Sequence, residues 1–301
     1  MGLIERDSLV ARLDDAWREG GRLLFIAGEA GVGKTALVRA FAANVEGRVL
    51  LGTCDRLITP APLGPLVDIA AQVGGALAAA IDDGRHPRDV ALALLDELRD
   101  GAVCVIEDVH WADEATLDVV RILGRRVGTT PSLVLASYRD DEPVDAHPLR
   151  RVLGELASVA AVERVHVPPL SLAAVRALAT AHDADGDAVY ALTGGNPFFV
   201  TELLASGGET LPATVRDAVL ARTATLSPRA RELLDGVALE PARAELWLLD
   251  AAFPDVADAV DECVAGGVLE AASATVAFRH ELARLAVEST VPPRRRRALH
   301  A

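Results

Sequence analysis

The sequence predicts an α/β fold in which a parallel β-sheet carries helices on both faces, followed by smaller helical regions. Two observations predict it. Up to residue 168, short apolar segments of strand length alternate with helix-like segments, a pattern typical of a doubly wound parallel sheet. After Pro168-Pro169 the alternation stops, and helix patterns dominate to about residue 268. We therefore expect a sheet domain over 1–168 and different architecture after it.

The strands and helices of the sheet domain can be placed in order. The opening helix over 3–19 has Leu9, Leu13 and Trp17 at helical spacing. The run at 102–106 is apolar throughout, which indicates a strand buried on both faces. Right-handed crossovers bring all strand carboxyl ends to one edge of the sheet. The predicted strands are 22–27, 48–53, 102–106, 132–138 and 163–167, and the intervening helices are 34–45, one that ends near 81, one from Pro87, 114–127 and 149–156.

A glycine-rich turn joins the first predicted strand to the next helix. Residues 28–35 read GEAGVGKT and fit the P-loop pattern G-x-x-x-x-G-K-[ST]. Its glycines let backbone N–H groups curl around a phosphate, and the helix amino terminus adds its positive dipole end. This predicts a P-loop NTPase. The sequence has no guanine-reading N/T-K-x-D motif, which favours ATP or ADP but leaves a guanine nucleotide as an alternative at this point. The predicted nucleotide-binding residues are Gly28, Glu29, Ala30, Gly31, Val32, Gly33, Lys34, Thr35 and Ala36.

Composition singles out Lys34. The chain has 30 lysines and arginines, and Lys34 is the sole lysine among them. A planar guanidinium cannot replace a compact ammonium inside a phosphate cradle. We expect Lys34 to reach the β- and γ-phosphates and Thr35 to ligate Mg²⁺ through its hydroxyl. The alternative, a chance glycine-rich turn, does not account for the strand before it, the helix after it and this lysine.

A second acidic site follows the strand at 102–106. Glu107 and Asp108, which we term the carboxylate pair, end that strand about 70 residues after the P-loop. One carboxylate there can orient Mg²⁺, and the other can orient or deprotonate the attacking water. An Asp for the metal usually comes first, whereas Glu107 comes first here. We assign Glu107 to the metal and Asp108 to water activation, and keep both as metal and catalytic candidates. The alternative is an ordinary strand end.

The region after residue 168 predicts two smaller parts. Ser171, Pro197 and Ser227-Pro228 are typical helix starts. VLEA and TVAF flank a short turn at 272–274, which predicts a hairpin, and a helix follows over 280–288. Helices with a hairpin near the end look like a winged helix. We expect a helical lid over 169–210 and a winged-helix domain over 211–301.

The motifs resemble a known family when they are taken in order. GEAGVGKT, VCVIEDVHWADE, LVLASYRDDE, LTGGNPFFVTELL and FRHELARLAVE resemble the ATPase core of large, MalT-like bacterial transcriptional regulators of the LuxR family. These are signal-transduction ATPases with numerous domains (STAND), related to AAA+ proteins. The resemblance covers nearly the whole chain. It implies a slow switch: bound ADP keeps the protein closed, exchange for ATP opens it for self-association or signalling, and hydrolysis resets it.

The resemblance also implies roles for three single residues. Arg139 resembles the catalytic sensor arginine that contacts the γ-phosphate. Pro197 resembles the lid proline that packs on adenine. His280 resembles the histidine that holds the β-phosphate of ADP, although Glu281 follows it where related proteins carry Asp. The opening LIERD departs from the usual Gly-Arg-Glu motif, because Glu5 replaces the glycine, and it supplies no site residue.

Each of these roles has a simpler alternative. Arg139 can instead be a surface arginine paired with Asp140 or Asp141. Pro197 is already explained as a helix-start proline, and His280 as an ordinary helix amino-terminal residue. The neighbouring His110 and Trp111 are expected to pack or cap beside the strand end rather than to act as catalysts.

Charge and cysteine usage restrict the partners. The net charge of −14 argues against a nucleic-acid or anionic-membrane surface, and the arginine run at 294–297 is expected to be a solvated helix face. Cys54, Cys104 and Cys263 are far apart in apolar runs, which favours a reducing cytoplasm. The apolar stretch 69–81 is too short to span a membrane. We expect DNA contact only through a helix-turn-helix outside these 301 residues.

Two other functions stay open at this point. A ring-forming AAA+ remodelling ATPase would use an arginine finger across subunits, and the candidates are Arg125, Arg126, Arg150 and Arg151. A degenerate module would bind nucleotide for a structural purpose only. The intact Lys34, Thr35 and carboxylate pair argue against the second.

Overall fold

The computed structural model describes residues 3–55, 62–140, 148–207, 211–240, 243–253 and 256–299. Those up to 168 form one compact unit, and those from 169 onwards form another; we term them the first and second unit. Asp141, the other alternative partner of Arg139, lies outside the described residues.

The first unit contains a parallel five-stranded sheet in the order β2-β3-β4-β1-β5. The three central strands are almost completely buried, as continuous apolar runs predict for a sheet covered on both faces. The strands are Arg22–Ala27 (β1), Arg48–Thr53 (β2), Ala102–Glu107 (β3), Leu133–Tyr138 (β4) and Val162–His166 (β5). The predicted parallel α/β layer is therefore confirmed.

Helices cover both faces of this sheet. One core contains Leu24, Ile26, Val103 and Val105 of the sheet with the apolar sides of α1 and α2. The other is formed by the alternate strand residues with the remaining helices. The helices are Asp7–Glu19 (α1), Lys34–Ala42 (α2), Gly64–Val73 (α3), Gly75–Asp82 (α4), Pro87–Glu97 (α5), Glu114–Arg126 (α6) and Pro148–Leu156 (α7).

The helix predicted over 34–45 ends at Ala42, and two other predicted helices of the first unit differ more from the structure. The segment expected to form one helix up to residue 81 forms two, because Gly74 has a φ of +67° and cannot continue the right-handed path. The opening helix begins at Asp7 rather than at residue 3, after Glu5 with a φ of +55°. Both differences come from backbone conformations that apolar spacing does not record.

The second unit is mainly helical. Ser171 and Ser227 cap helices through their side chains, and Pro197 and Pro228 occupy first helical positions, as predicted. Asn196, which was not among the predicted helix starts, caps the helix that Pro197 starts. The helices are Leu172–Thr180 (α8), Gly186–Thr193 (α9), Pro197–Ala205 (α10), Ala213–Thr223 (α11), Pro228–Ala238 (α12), Leu246–Ala252 (α13), Val256–Ala265 (α14), Glu281–Glu288 (α15) and Pro293–Leu299 (α16).

A small antiparallel sheet lies near the end of the second unit. Its strands are Ala244–Glu245 (β6), Leu269–Ala271 (β7) and Thr275–Phe278 (β8), in the order β6-β8-β7. The predicted hairpin is confirmed as β7–β8. The sequence missed β6, which is only two residues long and pairs with β8. The division of this unit into a lid and a winged helix stays a prediction.

Candidate functional site

The P-loop connects the end of β1 to the start of α2. Gly33 has a φ of +98°, and a Cβ built there would meet no atom within 4 Å, so the space beside the helix start is open. Gly28 is needed for a different reason. A Cβ at Gly28 would lie 2.9 Å from both the Val167 carbonyl oxygen and Val32 Cγ1. The loop therefore combines a tightly packed base with an open amino end of α2.

Lys34 is folded back onto the loop. Its side chain is buried, and Nζ donates to the carbonyl oxygens of Gly28 at 2.7 Å and Glu29 at 3.0 Å. These two hydrogen bonds hold the ammonium against the backbone of the turn. Phosphate oxygens carry full negative charge and accept stronger hydrogen bonds than carbonyls do. The geometry places the only lysine where it can exchange carbonyl partners for phosphate oxygens.

The carboxylate pair occupies the end of β3. Glu107 is the last strand residue and is 5% exposed; its Oε1 accepts no hydrogen bond from any described residue. Asp108 leaves the strand with a φ of +59°, and its N–H donates to Ser137 Oγ of β4 at 3.0 Å. The two carboxylates therefore differ in setting: Glu107 is within the sheet, and Asp108 begins the turn after it.

The sheet brings this pair to the same edge as the P-loop. Ile106 and Phe25 are both level with Ala136 of β4, so Glu107 and the P-loop both follow the same row of the sheet. Since β4 lies between β3 and β1, the backbones of β3 and β1 are about 10 Å apart. Strand alternation places Glu107 on the face of Val105, which packs with α2. This is also the face on which Lys34 and Thr35 begin α2.

The HWAD segment packs beside the carboxylate pair, as predicted. A short 3-10 helix covers Val109–Trp111. The buried His110 has Nδ1 3.8 Å from Asp108 Oδ1, and its ring centroid is 4.5 Å from that of Trp111. Asp113 then caps α6 by accepting from the Ala115 N–H.

Arg139 follows β4 and lies against Trp111. Its Cζ is 4.8 Å from the centroid of the Trp111 ring, a cation–π distance. The neighbouring Asp140, one of its alternative partners, lies with Oδ2 3.0 Å from His166 Nδ1. The structure thus places Arg139 beside the carboxylate pair. Its sensor role stays a prediction.

Two motifs of the resemblance meet within the second unit. The His280 ring packs edge-on against Phe199 with centroids 5.0 Å apart, and a Cβ at Gly194 would lie 3.1 Å from His280 Nδ1. Pro197 is the first residue of α10, and Asn196 caps that helix by accepting from the Phe198 N–H at 3.1 Å. The GGNPFF and FRHEL segments are therefore neighbours in space. Nucleotide contacts of Pro197 and His280 stay predictions.

Three further predictions can be compared with the structure. Arg125 and Arg151, two of the finger candidates, both form ion pairs with Glu155 of α7. All three cysteines are buried and free. No helix in the described ranges has the length and apolarity to cross a membrane.

Sequence reasoning missed two residues beside the site. Ser137 is buried in β4 and fixes the turn at Asp108 through its hydroxyl. Arg6 is 4% exposed and contacts the P-loop backbone at Val32. The sequence features that could have indicated these two residues were weak. Ser137 lies two residues before Arg139, and Arg6 is the arginine of the divergent LIERD segment.

Comparison with known proteins identifies the fold of the unit that carries this site. Residues 2–135 match the model of the AAA ATPase domain family. A comparison with curated protein sequences gives no match. The Walker-type ATPase PABY2304 of Pyrococcus abyssi aligns with a TM-score of 0.68 at 14% identity, over 95% of this chain and 96% of that one. The first unit has the fold of P-loop ATPases.

Two further solved structures align with the chain. The ORC2 protein of Aeropyrum pernix, solved as ADPNP–ADP complexes, aligns with a TM-score of 0.59 at 13% identity, over 95% of each chain. The STAND protein PH0952 of Pyrococcus horikoshii, which has a tetratricopeptide-repeat sensor, aligns with a TM-score of 0.49 at 17% identity, over 97% of this chain and 43% of that one. At 13% identity the likeness to ORC2 concerns the fold alone.

Proposed function

We propose that the chain is an ATP-binding, slowly ATP-hydrolysing switch, the regulatory ATPase part of a bacterial LuxR-type transcriptional regulator. One observation carries the nucleotide chemistry. The sole lysine is buried in a P-loop, and the buried Glu107 lies at the same edge of the sheet with an Oε1 that accepts no hydrogen bond from any described residue. A P-loop that only shaped a turn would need neither.

Binding is the first step of this proposal. The open amino end of α2 presents N–H groups and the positive end of its dipole to the phosphates. Lys34 then exchanges the carbonyl oxygens of Gly28 and Glu29 for charged phosphate oxygens. Because the protein groups are already in place, little reorganisation accompanies binding.

The residues present fit a magnesium ion bound with the nucleotide. Glu107 Oε1 is buried and lacks a hydrogen-bond donor among the described residues, and a buried carboxylate oxygen is costly unless something compensates it. The described residues contain no cluster of three or more His, Cys, Asp or Glu able to hold a metal alone. Thr35 and Glu107 would therefore hold the ion with the phosphates, and it would supply neutralisation of phosphate charge.

Hydrolysis would use the residues that follow β3 and β4. Asp108 leaves the strand in a left-handed turn that Ser137 fixes, so its carboxylate can orient a water toward the γ-phosphate. Arg139, held against Trp111, would stabilise charge that develops on that phosphate. Because Lys34 is the sole lysine of the chain, no second lysine can stabilise the charge on the γ-phosphate.

The switch is the part of the proposal that involves the second unit. Its support is the resemblance in sequence, together with the contact of His280 with Phe199 beside Pro197. We propose that ADP engages Pro197 and His280 and holds the closed state, and that ATP releases it. A ligand shifts such an equilibrium only through different affinities for the two states.

The test is the nucleotide carried by freshly purified protein, released by denaturation and identified by chromatography. We expect near-stoichiometric ADP in the wild type and its loss in His280→Ala. The matched control is His182→Ala, because His182 is an exposed histidine of the same unit. An empty site with rapid turnover of added ATP would contradict the switch. It would favour the ring-forming remodelling ATPase, which also predicts loss of turnover in Arg126→Ala or Arg150→Ala.

A further inference from the structure

Arg6 is a buried arginine that the proposed chemistry does not use. It precedes α1 and is 4% exposed. Its Nη2 donates to the carbonyl oxygens of Pro168 at 2.7 Å and Val32 at 3.4 Å, and Nη1 donates to that of Glu5 at 3.2 Å. One guanidinium thus joins backbone segments that are far apart in the sequence.

The segments that Arg6 joins are the P-loop and the end of the first unit. Val32 directly precedes Gly33 and Lys34, and Pro168 is the last residue of the unit. The same two segments also pack closely elsewhere, because Gly28 leaves no room for a Cβ between Val32 and Val167. The base of the phosphate cradle and the exit of the chain are therefore in contact through both packing and hydrogen bonds.

The charge of Arg6 has an unusual setting. Its three acceptors are main-chain carbonyl oxygens, and within the described ranges no carboxylate lies at ion-pair distance from it. Burial lowers the pKa of the guanidinium, with the nearby Glu5 acting in the opposite sense, yet an arginine keeps its proton in proteins. A buried positive charge without a counter-ion is costly, and an anion bound in the P-loop would reduce that cost.

We propose that Arg6 is a positioning residue for the phosphate site, which locks the P-loop carbonyl of Val32 to the exit of the first unit at Pro168. Nucleotide occupancy of the loop and the conformation of the chain at this exit are then coupled through one guanidinium. This role requires one rigid, planar group that donates hydrogen bonds to carbonyl oxygens of separate segments, and a lysine ammonium cannot supply that geometry. The inference rests on the proposed function, since it assumes that the P-loop binds nucleotide.

The first experiment measures the affinity for a fluorescent ADP analogue in folded variants. We expect Arg6→Met to weaken binding roughly tenfold or more, because a charged donor is lost, and Arg6→Lys to recover only part of the loss. Arg22→Met is the matched control. Arg22 also donates to a distant carbonyl oxygen, that of Ala160, but it begins β1 at the opposite edge of the sheet. It should bind as the wild type does.

A second readout separates positioning from general destabilisation. Millimolar guanidinium chloride, far below denaturing concentrations, should restore affinity to Arg6→Ala and leave the wild type and Arg22→Met unchanged. In hydrogen exchange, ADP should slow the peptide that contains Val167 in the wild type and not in Arg6→Lys.

The outcomes are distinguishable. A wild type that binds no ADP contradicts the proposed function. A wild type that binds, with Arg6→Met and Arg6→Lys within twofold of it, contradicts the role of Arg6 and leaves the proposed function standing. If Arg6→Met does not fold, Arg6→Lys still tests the proposal. The proposal is overturned if ADP slows hydrogen exchange of the Val167 peptide in Arg6→Lys as much as it does in the wild type.

Discussion

At the end of β3, the backbone separates two adjacent carboxylates into different environments. Glu107 is still a strand residue, buried on the side of α2. Asp108 turns away in a left-handed conformation and stays partly accessible to solvent. A buried acceptor suits a cation that neutralises it, whereas an accessible one suits a water molecule. The structure therefore agrees with different roles for the two residues.

Exchanging each carboxylate for its amide should separate these roles. We expect Glu107→Gln to raise the Mg²⁺ concentration needed for half-maximal ATP binding, because the amide oxygen is uncharged. Asp108→Asn should leave binding intact and lower turnover by about 10²–10⁴-fold, the range for loss of a general base. Metal titrations and single-turnover hydrolysis measure the two effects. Glu114→Gln, an exposed carboxylate at the start of α6, is the control. The reverse pattern would exchange the two assignments.

Trp111 gives Arg139 a defined position. A cation over a tryptophan ring is worth about 0.5–2 kcal/mol, and phenylalanine retains part of this attraction. We expect Trp111→Ala to lower turnover more than Trp111→Phe does, with ADP affinity little changed. Trp247→Phe is the control, because Trp247 is 68% exposed in the second unit. Equal turnover in wild type and Trp111→Ala would remove this role.

Among the elements, the α3–α4 break lies at two successive glycines with positive φ, Gly74 at +67° and Gly75 at +61°. Gly74 and Gly154 both have open space where a Cβ would be. They differ in conformation: Gly74 has a φ of +67°, and Gly154 is exposed within the helix α7. Space alone therefore cannot explain why glycine is needed at Gly74.

Alanine substitution tests this difference directly. Gly74→Ala should destabilise the first unit by about 1 kcal/mol, because alanine is strained at positive φ. Gly154→Ala should stabilise it by about 0.5–1 kcal/mol, since it improves helix propensity. Urea unfolding of both variants measures the change in free energy. Stabilisation by both substitutions would contradict the need for a residue that tolerates positive φ at position 74.

The elements also show how far the sequence alone could go. The parallel sheet, the P-loop and the carboxylate pair were predictable, because each depends on local patterns with a fixed chemical meaning. The contacts of Arg6 with Val32 and of Arg139 with Trp111 were not. They join residues that are 26 and 28 positions apart, and no periodicity or motif encodes which side chains meet across that separation.

On the scale of the whole molecule, the buried cysteines can be used to measure the opening of each unit. Cys54 and Cys104 belong to the first unit and Cys263 to the second, and burial raises the pKa of each thiol to about 12. Modification at neutral pH therefore requires opening of the unit that contains the thiol. The three thiols act as separate markers of opening.

The proposed switch predicts how ADP changes these markers. A ligand at 100 times its dissociation constant suppresses opening by roughly 100-fold. We expect ADP to slow modification of all three cysteines in the wild type, and of Cys54 and Cys104 alone in His280→Ala. Pulsed alkylation followed by mass spectrometry measures each site. If ADP leaves Cys263 unaffected in the wild type, the second unit does not take part in binding.

A chain with one lysine has a single side-chain amine, and that amine is buried in the P-loop. Amine-reactive reagents will therefore meet no exposed lysine on these folded residues, and Lys34 will react only when the P-loop opens. A bound nucleotide that occupies Lys34 should slow this reaction further. In most proteins such reagents modify many surface lysines, whereas here modification of a lysine measures the opening of one loop.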